Sequence, residues 1–266
     1  MGVSELDDEL ARERRELGTG AKLAIGCAVL FGVPLVLLIA YGFYVARVQT
    51  PEDRFAAALE DKPRVARLVE TVKRTYPEEY TLLVKRVDEA GVRNLDEEQL
   101  ISVIASFAVR MWSRHRSEMA QAGDAEVLAL MTAIGRMAAL SAKDPVLCRA
   151  QFSTVNLVGP EMARGRKASD GMFALAAATV NAAAAGKEHP VKRSMPTAAD
   201  GEALGRKLQA LGLSQPQLLR LQQKSLSDAD MQANCDTLDK LFEAILSLPP
   251  ERIQRLGTQQ MREGGA

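Results

Sequence analysis

Residues 23–46 read LAIGCAVLFGVPLVLLIAYGFYVA, 24 positions without one charge, bounded by Lys22 and Arg47. At about 1.5 Å per residue a helix of that length extends about 36 Å, enough to cross a hydrocarbon core of about 30 Å with some tilt. The stretch predicts one transmembrane helix. Core helices of soluble proteins seldom run so far without charge, and Tyr41, Phe43 and Tyr44 gather at one end, where an interfacial aromatic belt lies. A cleaved signal peptide fits poorly: the apolar run is too long, the 22 residues before it hold more acids than bases, and no A-x-A pattern follows. Pro34 sits within the span, where membrane helices accept a modest kink. Ala24, Ala28 and Gly32 recur every fourth residue, a spacing that lets two such helices approach closely and makes a homo-oligomer through the membrane helix an expectation.

Orientation follows from the short flanks. Residues 8–22 carry Arg12, Arg14, Arg15 and Lys22, against Arg47 and Arg54 in residues 47–61. The excess of positive charge places the N-terminus inside. Residues 1–22 are then a short cytoplasmic tail, with Ser4 and Asp7 as a capping box, an apolar side of Val3, Leu6, Leu10 and Leu17, and a stop at Gly18. Residues 47–266 become an extracytoplasmic domain on a single-pass anchor in the inner membrane, periplasmic in a Gram-negative envelope. The opposite topology would make the same residues a cytoplasmic regulatory domain with reduced cysteines.

Composition narrows the class further. Lys plus Arg and Asp plus Glu both number 34, so the chain lacks the positive excess of a dedicated nucleic-acid binder. An apolar share of 47% with 26% charged residues fits a folded protein, and an aromatic share of only 5% argues against a β-sandwich or barrel. Beyond the membrane segment the apolar residues recur at helical spacing. Thr50-Pro51-Glu52-Asp53 reads as a helix start. Val65, Leu68, Val69 and Val72 form one stripe, and Tyr80, Leu83, Val84 and Val87 form another after Pro77. Leu100, Ile101, Ile104, Phe107, Ala108, Met111 and Trp112 share a face, with Glu97, Glu98, Ser102, Ser106 and Arg110 off it. A helix from Ala125 to Leu140 uses Val127, Leu128, Met131, Ile134 and Met137, and Asp144-Pro145 opens a shorter one.

An alanine-rich helix follows, for which Asp170 reads as the cap and Gly186 as the stop; its small side chains predict a central, closely packed position. Further helices carry Leu204, Leu208 and Leu211, then Leu218, Leu219 and Leu221, then Met231, Cys235, Leu238, Phe242 and Ile245 before Pro249-Pro250. The fold class is all-α: one N-terminal transmembrane helix followed by a multi-helix globular domain.

Chemistry is harder to find. Cys148 and Cys235 both lie on apolar faces, and in an oxidising compartment they can bond; otherwise they are two buried thiols. Arg164, Arg166 and Lys167, and Lys187, Lys192 and Arg193, mark two basic stretches that can contact an anion or simply remain solvated. Serine-hydrolase, zinc-protease, redox and phosphate-loop motifs are missing, and His115 and His189 are the only imidazoles. Glu78 with Glu79 and Glu97 with Glu98 fall in first turns, where carboxylates complement the helix dipole. Nothing calls for a cofactor or metal. The sequence therefore points to a protein-interaction module of the cell envelope, acting as anchor, adaptor or inhibitor, with membrane lipid and a protein as partners. Its rival is an envelope hydrolase using dispersed carboxylates.

Overall fold

The computed structural model describes residues 50–91, 95–152, 166–221 and 227–263. The membrane segment at 23–46, with Ala24, Ala28 and Gly32, and the tail at 1–22 lie outside the described residues. The chain divides into two compact units, Met1–Asp53 and Arg54–Ala266. In the first, Asp53 donates its amide to Thr50 Oγ1 at 3.2 Å while the Thr50 amide returns a bond to Asp53 Oδ2 at 2.9 Å. This reciprocal cap starts helix α1 (Pro51–Leu59).

The second unit is all-α, with no strand among its described residues. Helix α2 (Pro63–Thr75) buries Val65, Leu68, Val69 and Val72, and α3 (Pro77–Glu89) buries Tyr80, Leu83, Val84 and Val87. Tyr76 alone joins them, held out of helical geometry at φ −135° and ψ 69° by the proline that follows. Helix α4 (Glu97–Arg114) is capped by Asp96, which accepts from the Gln99 amide at 2.8 Å while Gln99 accepts from the Asp96 amide at 3.0 Å. Leu100, Ile101, Ile104, Phe107 and Met111 are fully covered. Burial of each such side chain contributes about 1.5–3 kcal/mol. A single-turn α5 (Arg116–Met119) leads to α6 (Asp124–Lys143) and α7 (Pro145–Phe152).

Among the described residues α6 alone is long and apolar enough to cross a membrane, judged by length and composition. It packs instead against four helices: α7 and the three designated α8, α11 and α12 below. Helix α8 (Arg166–Glu188) is the centre of the bundle and touches α2, α4, α5 and α6. Ala176, Ala182, Ala183 and Ala184 are buried there, where larger side chains would hold the neighbouring backbones apart. At about 34 Å α8 is longer than the sequence suggests, and two expected boundaries are corrected. Asp170 is not the cap, because its carboxylate accepts from Arg64 Nη1 at 2.7 Å and the helix begins four residues earlier, at Arg166. Gly186 is not the stop either. A Cβ there would collide with the Glu118 carbonyl oxygen, so glycine serves the approach of α8 to α5.

The remainder comprises α9 (Ala198–Ala210), α10 (Gln215–Arg220), α11 (Asp228–Leu246) and α12 (Pro250–Glu263). Leu204 of α9 packs against the core. Leu204 and Leu208 stay half-buried, and the residues α9 buries are Ala203 and Asp200. Cys148 on α7 is disulfide-bonded to Cys235 on α11, with Cα atoms 5.9 Å apart.

Candidate functional site

Six helices leave a cleft of about 380 Å³ between them. Helix α4 contributes Ala105, Ser106, Ala108, Val109 and Trp112; α6 contributes Met131, Ile134, Met137 and Ser141. Opposite lie Met172, Leu175, Ala176 and Thr179 of α8, then Leu238 and Phe242 of α11, and Gly257, Gln260 and Met261 of α12, with Leu147 of α7 completing the wall. Among the described residues that line it, none is ionisable. Small residues shape the wall: Gly257 lets α12 close on Met131, whose sulfur would lie 2.8 Å from a Cβ there, and Ala105, Ala108 and Ala176 leave room that a longer side chain would fill. At the rim, Val109 is 58% exposed although apolar, while Met131, Met172, Phe242 and Met261 are buried behind it.

The hydroxyls in this wall differ. Thr179 Oγ1 donates to the Leu175 carbonyl at 2.9 Å and Ser106 Oγ to the Val103 carbonyl at 2.8 Å. Ser141 is 1% exposed, and its Oγ has no hydrogen-bond partner among the described residues. Helical spacing made Trp112 part of the packed face and left Ser106 off it. Trp112 does pack against the core, and both residues also line the cleft, half-buried.

A second polar cluster surrounds Glu79. Its carboxylate, 4% exposed, accepts from Arg114 Nη1 at 2.6 Å and lies 3.3 Å from Arg110 Nε and 3.7 Å from His115 Nε2. Burial alone would raise the Glu79 pKa; the Arg114 hydrogen bond and the charges of Arg114, Arg110 and His115 outweigh it and hold the carboxyl below its ordinary value. On its other side the His115 ring lies 4.3 Å from the Tyr76 ring, and its Nδ1 is 3.2 Å from Glu118 Oε1. Burial, followed by the charges of Glu118 and Glu188, pushes the Tyr76 phenol far up; it donates to the Ala183 carbonyl at 2.8 Å. Sequence reading took Glu79 for a first-turn carboxylate. The signal it passed over was Arg110 and Arg114, two cations one turn apart on α4, which close on a single carboxylate from α3.

Of the two basic stretches, only the second has described side chains. Lys187 Nζ donates to the Thr75 carbonyl at 2.7 Å and lies 4.4 Å from the Tyr76 ring centre. Arg193 pairs with Asp124 at 2.7 Å and also donates to the Ala122 carbonyl. Both cations are engaged within the domain, tying the α8 terminus and the following loop to their neighbours, whereas Lys192 is exposed. Arg164 lies outside the described residues, as do the side chains of Arg166 and Lys167. His189 is an exposed residue at the end of α8. Among the described residues no group of three His, Cys, Asp or Glu side chains is arranged to hold a metal ion.

No family model matches this chain, and no curated protein or solved structure is significantly similar to it.

Proposed function

We propose that the chain is a single-pass, membrane-anchored helical binding module of the cell envelope, in which residues 23–46 span the membrane and the domain from residue 47 onward works outside the cytoplasm as anchor, adaptor or inhibitor. The uncharged run between Lys22 and Arg47 supports the anchor, and the excess of Arg and Lys before it supports the orientation. The bond between Cys148 and Cys235 accords with an oxidising compartment.

One observation carries the choice of binding over hydrolysis. The six-helix cleft is apolar and has no ionisable residue among the described residues of its wall, which suits the capture of an apolar group and offers no acid or base for bond cleavage. The carboxylate buried at Glu79 is held ionised by the Arg110 and Arg114 cations, a structural arrangement rather than a proton donor poised near neutrality.

Three measurements test this reading. Full-length protein resists extraction from membranes by alkaline carbonate, and protease added to spheroplasts digests the C-terminal domain. A photoreactive amino acid at Val109, on the cleft rim, captures a partner in intact membranes, while the same group at Leu219 does not. Those two sites are almost equally exposed, at 58% and 55%, so accessibility does not explain a difference. Equal labelling at both would remove the cleft from the account.

A further inference from the structure

We propose that the cleft binds a single unbranched alkyl chain ending in a small uncharged polar group, with Ser141 receiving that end. The proposal rests on the reading of this domain as a binding module and names the chemistry of what it binds.

The shape of the wall comes first. Along α6 the lining runs from Met131 through Ile134 and Met137 to Ser141, ten residues of helix or about 15 Å. The cleft of about 380 Å³ extends along this apolar wall. An extended hydrocarbon chain can lie along a wall of that length, its carbons packing at about 4 Å from the side chains. Four of the wall residues are methionines, at 131, 137, 172 and 261. Their unbranched thioether chains adjust to a flexible guest more readily than branched side chains do.

Polarity then fixes the end group. A wall without an ionisable residue cannot compensate a buried charge, so whatever enters must be neutral along its buried length. Buried polar atoms in folded proteins are almost always paired. Ser141 Oγ is the exception among the buried hydroxyls of this cleft, since Thr179 uses its own on a backbone carbonyl. An alcohol or amide at the end of the chain can exchange a hydrogen bond with that serine, and the methyl end then lies towards Met131 and Met261.

Trp112, the single tryptophan of the chain, stands half-buried on the wall and reports occupancy by its fluorescence. Full-length protein in phospholipid nanodiscs is titrated with dodecanol, dodecanoate and a rigid tetracyclic sterol. Dodecanol shifts the Trp112 emission and saturates at one molecule per chain. Dodecanoate binds at least about tenfold more weakly, because its carboxylate meets no cation at the buried end, and the sterol gives no saturable shift. Ser141→Ala keeps the melting temperature of the parent and loses about fivefold in dodecanol affinity, the worth of one net hydrogen bond. Ala105→Phe narrows the mouth and abolishes the shift. A sterol that binds as well as dodecanol, or Ser141→Ala with undiminished affinity, overturns the proposal. So does an absence of any dodecanol response while the Val109 photoprobe still captures a partner, and that outcome leaves the binding-module reading standing. If Ser141→Ala does not fold, the dodecanol and dodecanoate titrations of the parent protein decide the matter.

Discussion

Asp200 and Arg255 lie 55 residues apart in sequence and meet in a two-pronged ion pair, Nε to Oδ2 at 2.8 Å and Nη2 to Oδ1 at 2.7 Å. Asp200 is 1% exposed, and the same carboxylate closes the N-terminus of α9 by accepting from the Thr197 amide at 2.9 Å. Arg255 and the Thr197 amide together hold its pKa well below the ordinary carboxylate range. One side chain therefore starts α9 and fastens it to α12.

The neighbouring Arg252 reaches the same carboxylate only as a 3.4 Å contact. Arg255→Gln should lower the melting temperature more than Arg252→Gln, because it removes two well-aligned bonds instead of one loose contact. Thermal denaturation followed by circular dichroism ranks the two, and the reverse order contradicts the geometry.

Acid should unfold the domain through Asp200 and Glu79. Both give up their proton more readily when folded, so their contribution is whole above the unfolded values, taken as 3.8 for Asp200 and 4.5 for Glu79, and drains away as pH falls through the lower folded values. The expected melting temperature is level from neutrality to about pH 5 and declines below it. Asp200→Asn and Glu79→Gln each start lower at neutral pH and decline less steeply, as differential scanning calorimetry across that range would show.

Two glycines on helices should respond with opposite sign. Gly186→Ala forces a methyl group against the Glu118 backbone and should cost about 2 kcal/mol or more. Gly205, an exposed position on α9, has nothing within 4 Å of where its Cβ would stand, so Gly205→Ala should add about 0.5–1 kcal/mol. Urea titration of both variants measures the pair on one scale.

The disulfide joining α7 to α11 can be counted directly. The chain has three cysteines, and with Cys148 bonded to Cys235 the unfolded, unreduced protein should titrate a single thiol, Cys27; reduction should bring the count to three. Replacing both bonded cysteines by serine should cost about 4.6 kcal/mol in the chain-entropy model. Two or more reactive thiols before reduction would contradict the bond.

What the sequence discloses is mostly what neighbours in sequence decide. Thr50 and Asp53, the proline after Tyr76 and the alternation of Val65, Leu68, Val69 and Val72 act within one or two turns, and each marks its helix. The alanines of α8 also announced a central helix before any contact was known. The reading failed where a distant residue intervened: Asp170 could have been a cap until Arg64 took its carboxylate, and Gly186 could have been a stop until Glu118 came against it. Glu79 looked like an ordinary first-turn acid, and Asp200 drew no notice, because their arginines come from other helices. The cleft is less legible still, since its wall draws on α4, α6, α7, α8, α11 and α12 and no local pattern encodes the gap between them.

The run of small residues through α8 restricts how this sequence can drift. Surface positions on α9 or α12 can change freely, but at 176, 182, 183, 184 and 186 any gain in bulk displaces a whole neighbouring helix. Kinship to this chain is therefore best sought by side-chain size at those places, because a cousin that shares few letters with it must still be slender along the same axis.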